Sequence, residues 1–346
     1  MKVTIKATLK YAIILSVTLA LLWLSLSSIH VNEGESKLGF IGSVWHIANK
    51  PLMVLSAAIA ILSHLIRAER WRLLLSPVNY QISRGDSFMS VMVGYFVNLA
   101  IPRGGELSRC YNLYRLNKTP INISFGTVLV ERLVDVLFLI SLITLSFFIE
   151  IDSLSTFLDS LNFNYESMLF VPKAKTLVLV ALFGISTFAF VKILLAKKRR
   201  FFLKLVWKFR EVTKGIKEGV KAIVKLEKRG LFIIYSLLIW ICYYLMSYVV
   251  MLAFPETENL TLLAALTIFV IGGIAMAIPL PGGAGSYHVM VPAGLIFLYA
   301  IPQDKAIAFT VIFHGWQTVV IILVGAISLL ISQVRGKHKL YERNGR

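Results

Sequence analysis

Acidic residues are scarce in this 346-residue chain: 18 Asp and Glu stand against 36 Lys and Arg, for a formal net charge of +18. Charge of either sign is sparse at 16%, where soluble domains carry about 25%. Cysteine is nearly missing. Cys110 and Cys242 supply neither a disulfide framework nor a metal-ligand spacing, and Cys242 sits in an apolar run that points to a core position. Nucleophile elbows, phosphate-cradling loops, zinc-helix motifs and metal clusters are missing too, and Ser286 near His288 makes no triad. The chain is therefore expected not to be an enzyme and to need no metal or cofactor.

What is present is apolar. Hydrophobic residues make up 57% of the chain, the mean hydropathy is +0.76, and several runs exceed the roughly 18 residues that suggest a spanning helix. This is the composition of an integral, polytopic membrane protein. The basic surplus sits in short loops between apolar runs. That is the pattern of cytoplasmic loops beside anionic lipid, and it argues against a nucleic-acid partner. Lys2, Lys6 and Lys10 precede the first apolar run, which lacks a small-residue cleavage site and reads as a retained helix.

Taken in order, residues 9–29 form a first span from a cytoplasmic N-terminus. A mixed loop follows, with Glu33, Glu35, Lys37, His46 and Lys50. A second span, 47–66, ends in Arg67, Glu69, Arg70 and Arg72, back inside. The apolar piece 87–101 is about 15 residues long, short of the roughly 20 a span needs. Arg103, Arg109, Arg115 and Lys118 follow it. A re-entrant hairpin that dips in and returns keeps those charges inside, with its non-helical backbone shielded from lipid. A span at 121–148 leads out to the acidic stretch 150–172, and a span at 174–195 leads back in. The basic connector 197–229 carries Leu205, Phe209, Val212, Ile216, Val220 and Ile223 at helical spacing. It reads as an amphipathic helix on the anionic inner leaflet, or as a charged cytoplasmic hairpin. A span at 231–254 precedes a second broken segment, 260–301, and a last span at 306–331 ends in a basic, cytoplasmic tail.

The two breaks echo each other. Residues 98–109 read Asn-Leu-Ala-Ile-Pro-Arg-Gly-Gly-Glu-Leu-Ser-Arg, and 277–286 read Ala-Ile-Pro-Leu-Pro-Gly-Gly-Ala-Gly-Ser. With one inserted proline, Gly104-Gly105 falls on Gly282-Gly283 and Ser108 on Ser286. The expected fold is an all-α polytopic membrane protein. It has about six full spanning helices and two re-entrant or broken helical units in an inverted-topology repeat. It forms one transmembrane domain with halves at 8–149 and 174–332, joined by an outer loop at 150–173. Paired broken segments of this kind mark a transporter's binding site.

Arg67, Arg70, Asn98, Arg103, Glu106 and Arg109 form the candidate headgroup-binding set, because guanidinium groups take phosphate in a bidentate way. The plainer role for Arg67 is snorkelling to the interface. Glu131, Arg132 and Asp135 lie roughly 15–20 Å along their helix. Ionisable groups at that depth need a cavity or partners. Glu131 and Asp135 share a face, and Arg132 can neutralise only one of them. The second turn offers Pro281, Gly282, Gly283, Gly285, Ser286 and His288, whose backbone N–H groups are candidates for an anion. His314 and Gln317 on the last helix are candidates for a proton-linked role or for a hydrogen-bonded core.

Arg70-Trp71, Asn98…Pro102…Gly105-Glu106…Arg109, Glu131-Arg132…Asp135 and Pro281-Gly282-Gly283…Gly285 together resemble the transmembrane region of lysylphosphatidylglycerol synthases, also called flippase-like or UPF0104-type proteins. The resemblance covers nearly the whole chain. It implies movement of a lipid between leaflets of a bacterial or archaeal cytoplasmic membrane, the lipid being anionic, aminoacylated or polyprenyl-phosphate. Two departures matter: His288 stands where many members have Glu, and no soluble aminoacyl-transferring domain follows. A non-catalytic partner of a separate lipid or glycan synthase is the second expectation, and an intramembrane lipid-modifying enzyme the third.

Overall fold

The computed structural model describes residues 2–29, 36–78, 80–151 and 226–344, with side chains within 15–336. Among the described residues there are ten α-helices and no strand: α1 Lys2–Ser27, α2 Lys37–Ile47, α3 Lys50–Leu75, α4 Arg84–Ala100, α5 Gly105–Asn117, α6 Ile121–Ile149, α7 Arg229–Met251, α8 Leu262–Ala277, α9 Ser286–Tyr299 and α10 Gln303–Asn344. The helices α3, α6, α7 and Gln303–Gly336 within α10 are long and apolar enough to cross a membrane. Their outward faces expose Val54, Ile140, Ile241 and Leu330, as lipid-facing helices do. The chain is a multi-pass membrane protein. The predicted span at 174–195, most of the acidic loop and the connector up to residue 225 lie outside the described residues.

Two expectations are corrected. The stretch read as a mixed loop holds α2. Ser36 caps it by accepting from the Gly39 N–H at 3.0 Å, and Val44 packs into the core with Met53, Phe309 and Phe313. Its charges stand at the helix ends, which hid the apolar face. The second span also does not stop at Ile66. The helix α3 starts at the Asn49 cap and runs on through Arg67, Glu69, Arg70 and Arg72 to Leu75. Arg67 and Arg70 did not end the helix because carboxylates on α6 meet them inside the bundle.

The broken segments are helical hairpins. At 17 and 13 residues, α4 and α5 reach about 25 and 20 Å, short of a bilayer core. The echo in the sequence has a structural counterpart: Ala100 and Ala277 are the last residues of α4 and α8, and Ile101 and Ile278 follow as extended caps. At the first turn Asn98 Oδ1 accepts from the Gly105 N–H at 2.7 Å, supplying the cap that Gly104 cannot. Gly105 lies so close to α4 that a Cβ there would stand 2.2 Å from the Gly94 carbonyl oxygen. At the second turn Gly282, Gly283 and Gly285 have φ of 56°, 75° and 91°, values that side chains disfavour.

Running beside both hairpins, α10 shows their directions. Arg335 near its C-terminal end stands 3.8 Å from Asp86 at the start of α4. His314, nearer its N-terminal end, meets the Gly282 carbonyl at 3.0 Å. Gly282 in turn abuts Leu99 at the end of α4. The hairpins thus enter from opposite ends of the bundle and touch at their tips.

Replacing Gly105 by Ala should lower detergent melting by the equivalent of about 1–3 kcal/mol, because backbone blocks the new methyl. Gly42→Ala, where a Cβ meets nothing within 4 Å, should not lower melting, because Ala is the better helix former. Equal melting of the two variants would show that the hairpin is not close-packed at Gly105.

Candidate functional site: a buried arginine–carboxylate network at the first hairpin

Helical spacing assembles the site. On α3, Arg67 and Arg70 are one turn apart and point at α6, where Glu131 and Asp135 share a face. On α5, Glu106 and Arg109 are one turn apart. On α7, Ser236 and Tyr243 are two turns apart on one face.

Arg70 is the centre, with a side chain 0% exposed. Its Nη2 donates to Asp135 Oδ1 at 2.8 Å, its Nε to Glu131 Oε1 at 3.3 Å and its Nη1 to Ser236 Oγ at 3.1 Å. Arg67 Nη1 donates to Asp135 Oδ2 at 2.8 Å, and its Nε to the Tyr243 hydroxyl at 3.2 Å. That hydroxyl lies 3.2 Å from the hydroxyl of Tyr95 on α4. Arg109 Nη1 stands 2.8 Å from Glu131 Oε2, an ion pair too poorly aligned to count as a hydrogen bond. Arg132 Nη2 meets Glu106 Oε1 at 2.9 Å.

These contacts revise the expected pairing. Arg132 reaches Asp135 only at 3.8 Å, while Arg67 and Arg70 hold that carboxylate and Arg70 and Arg109 hold Glu131. Neither acid lacks a cation. Arg67 is buried rather than snorkelling. Four guanidinium groups meet three carboxylates here, a formal excess of one positive charge among the described residues.

Arg109 is the odd member. Its guanidinium carbon lies 3.7 Å from the Trp71 ring centroid, stacked on an indole whose N–H donates to Thr127 Oγ1 at 2.9 Å. One edge faces Glu131. Its Nε and Nη2 are buried and have no hydrogen-bond partner. These two nitrogens form the edge with which arginine takes both oxygens of a phosphate or carboxylate. Arg109 lines a small cleft of about 10 Å³, room for about one water molecule, lined also by Tyr95, Asn98, Gly105, Glu106 and Arg132. Asn98 therefore both caps α5 and lines the cleft.

Other expected residues fall elsewhere. Arg103 is exposed on the turn with φ 60°. The second turn gathers His288 and His314, with ring centroids 4.8 Å apart, around Gly282. Three of its backbone N–H groups are spent within the turn. Those of Gly283 and Ala284 donate to Leu280 and Pro281 carbonyls, and that of Gly285 donates to His288 Nδ1. Ser286 Oγ donates to the Ala275 carbonyl at 2.9 Å. Pro281 opens the short 3-10 turn. Gln317 faces Met246 on α7 at 3.8 Å. Tyr95, Tyr243, Ser236 and the stacking role of Trp71 were not singled out from the sequence. The signal for Ser236 and Tyr243 was their two-turn spacing in an apolar helix, but nothing in it named α3 as the partner.

The chain belongs to the family described as the lysylphosphatidylglycerol synthase TM region, whose model matches residues 9–325. It is 32% identical over 90 residues to a UPF0104 membrane protein of Methanocaldococcus jannaschii, a match covering 25% of this chain and 27% of that one. It is 24% identical over 352 aligned positions to glycosyltransferase AglD of Haloferax volcanii, covering 94% of this chain and 55% of the relative. The chain thus spans about half the length of that second protein. No solved structure matches it.

Deleting Arg70 should destabilise far more than deleting Arg132. Arg70→Ala removes one of the two cations on each of two buried carboxylates and should cost about 3–5 kcal/mol, whereas Arg132, with a side chain 42% exposed, should cost under about 1 kcal/mol as Gln. Detergent melting of both variants measures this. Equal shifts would mean that the Arg70 pairs are not the buried centre.

Proposed function

We propose that the chain moves a phosphate-bearing lipid, anionic, aminoacylated or polyprenyl-linked, between membrane leaflets, with the headgroup held in the cleft beside the first hairpin. The observation that carries this is the unpartnered edge of Arg109. A buried guanidinium edge with nothing to bind is costly, and an oxyanion satisfies it. The membership of a lipid-synthase transmembrane family supports a lipid as the source of that oxyanion. Two broken hairpins touching at their tips fit alternating access around a central site. The chain acts without catalysis of its own, and its basic connector draws on the anionic inner leaflet.

Orientation follows from charge. Arg72, Arg84, Arg115 and Arg335 gather where α3 ends and α4 begins. There Arg72 donates to the Ile82 carbonyl, Arg84 meets Glu69, and Arg115 lies near Gly336. Glu150, Glu256 and Asp304 lie at the other end, where Tyr299 donates to Glu150 and Lys305 meets Glu256. This bias supports an orientation with the basic end and both termini in the cytoplasm. A second function, as the membrane partner of a separate synthase, is favoured by the likeness to part of a longer glycosyltransferase.

Proteoliposomes containing only this chain should move fluorescent phospholipid across the bilayer faster than protein-free vesicles. Arg109→Gln should abolish the gain and Arg109→Lys restore a fraction of it, since Lys lacks the planar fork. Movement at the protein-free rate by a wild-type chain that melts cooperatively would rule out the flippase function and leave the partner function. Cysteines at Lys118 and Arg335 should label from the cytoplasmic side. Labelling from outside would reverse the orientation.

A further inference from the structure

Arg109 is half of the unmet hydrogen bonding in the cleft. The other half is an acceptor. Glu106, one turn before Arg109 on α5, lines the same cleft. Its Oε1 meets Arg132, but its Oε2 is buried and has no hydrogen-bond partner. A bare oxyanion seated on Arg109 leaves that carboxylate oxygen unpaired and adds a repulsive neighbour. Both effects weaken binding. A ligand that satisfies both residues must carry an oxyanion and, about one helical turn or ~5 Å away, a hydrogen-bond donor.

We propose that Glu106 is a specificity-determining residue: the cleft takes a phosphodiester whose headgroup carries a hydroxyl or ammonium donor beside the phosphate, and disfavours one without a donor. This rests on the headgroup function proposed above and narrows it. Arg132 fits the same role. It holds Oε1 and is itself half exposed, so the Glu106 carboxyl is fixed in place while Oε2 is left for the ligand. A polar site built to pair a donor rejects the analogue that lacks it more strongly than an apolar pocket rejects an extra group.

The test compares headgroups of similar size on the full-length chain in detergent, by native mass spectrometry. Phosphatidylglycerol and phosphatidylethanolamine carry donors; phosphatidylethanol is a diester of the same reach without one. Wild type should bind the first two on the order of tenfold tighter than the third. Glu106→Gln and Glu106→Ala, checked by melting, should shrink that ratio several-fold, chiefly by improving phosphatidylethanol. Equal binding of all three lipids by wild type overturns the proposal and needs no variant to fold. A ratio unchanged in a well-folded Glu106→Ala chain overturns it as well. If Arg109→Gln leaves every lipid bound as before, the headgroup function itself fails. Displacement of the lipids by millimolar inorganic phosphate would assign the cleft to free phosphate and also overturn the proposal.

Discussion

A guanidinium sealed from water between two carboxylates, Arg70 between Glu131 and Asp135, is the constraint on which the other helices depend. An isolated charge at that depth is prohibitively costly, and even a paired one seldom gains much over an apolar replacement. Its value here is positional. The planar group has one geometry that meets both acids and Ser236 together, and that geometry fixes the rotation of α3, α6 and α7 about one another. Arg67 repeats the arrangement a turn away and carries it through Tyr243 to Tyr95 on α4.

That frame makes Arg109 stand apart. Glu131, already held by Arg70, takes one edge of Arg109, while Trp71 takes its face. With two sides occupied, Nε and Nη2 keep their donors unspent on a residue that lines the cleft. The close approach of Gly94 and Gly105 brings α5 near enough to α4 for the same cleft to include Asn98 and Tyr95. A short helix that stops inside the bundle is what allows a charged side chain to be buried beside the cleft. The second hairpin is differently made. Its turn spends three of its backbone donors on itself and carries histidines where the first carries arginine and glutamate.

Much of this was legible in the sequence because it is local. The breaks at Pro102 and Gly282 were visible as interruptions of apolar runs, and helix ends at Ala100 and Ala277 matched the repeated Ala-Ile-Pro. The spacing of Glu131 and Asp135 showed a shared face. The identity of their partners was not legible, because pairing is a tertiary fact. Arg132 is three residues from Asp135 and was the natural partner on a bare helix, yet Arg67 and Arg70 arrive from α3 with better geometry. The end of α3 was misplaced for the same reason. A run of arginines after an apolar segment normally marks the membrane surface, and only the acids on α6 reveal that these continue inward. The helix at 37–47 was hidden because Lys37 and His46 sit at its ends while Val44 faces the core.

The central claim is that the network holds Arg109 with its Nε–Nη2 edge open to a phosphate. An experimental structure of the chain in nanodiscs containing phosphatidylglycerol tests it most directly. The account predicts phosphate density within hydrogen-bond distance of both nitrogens, with Arg70 still bridging Glu131 and Asp135. A well-resolved site in which Arg109 turns away from the cleft, or in which the edge is closed by a protein side chain, would contradict it.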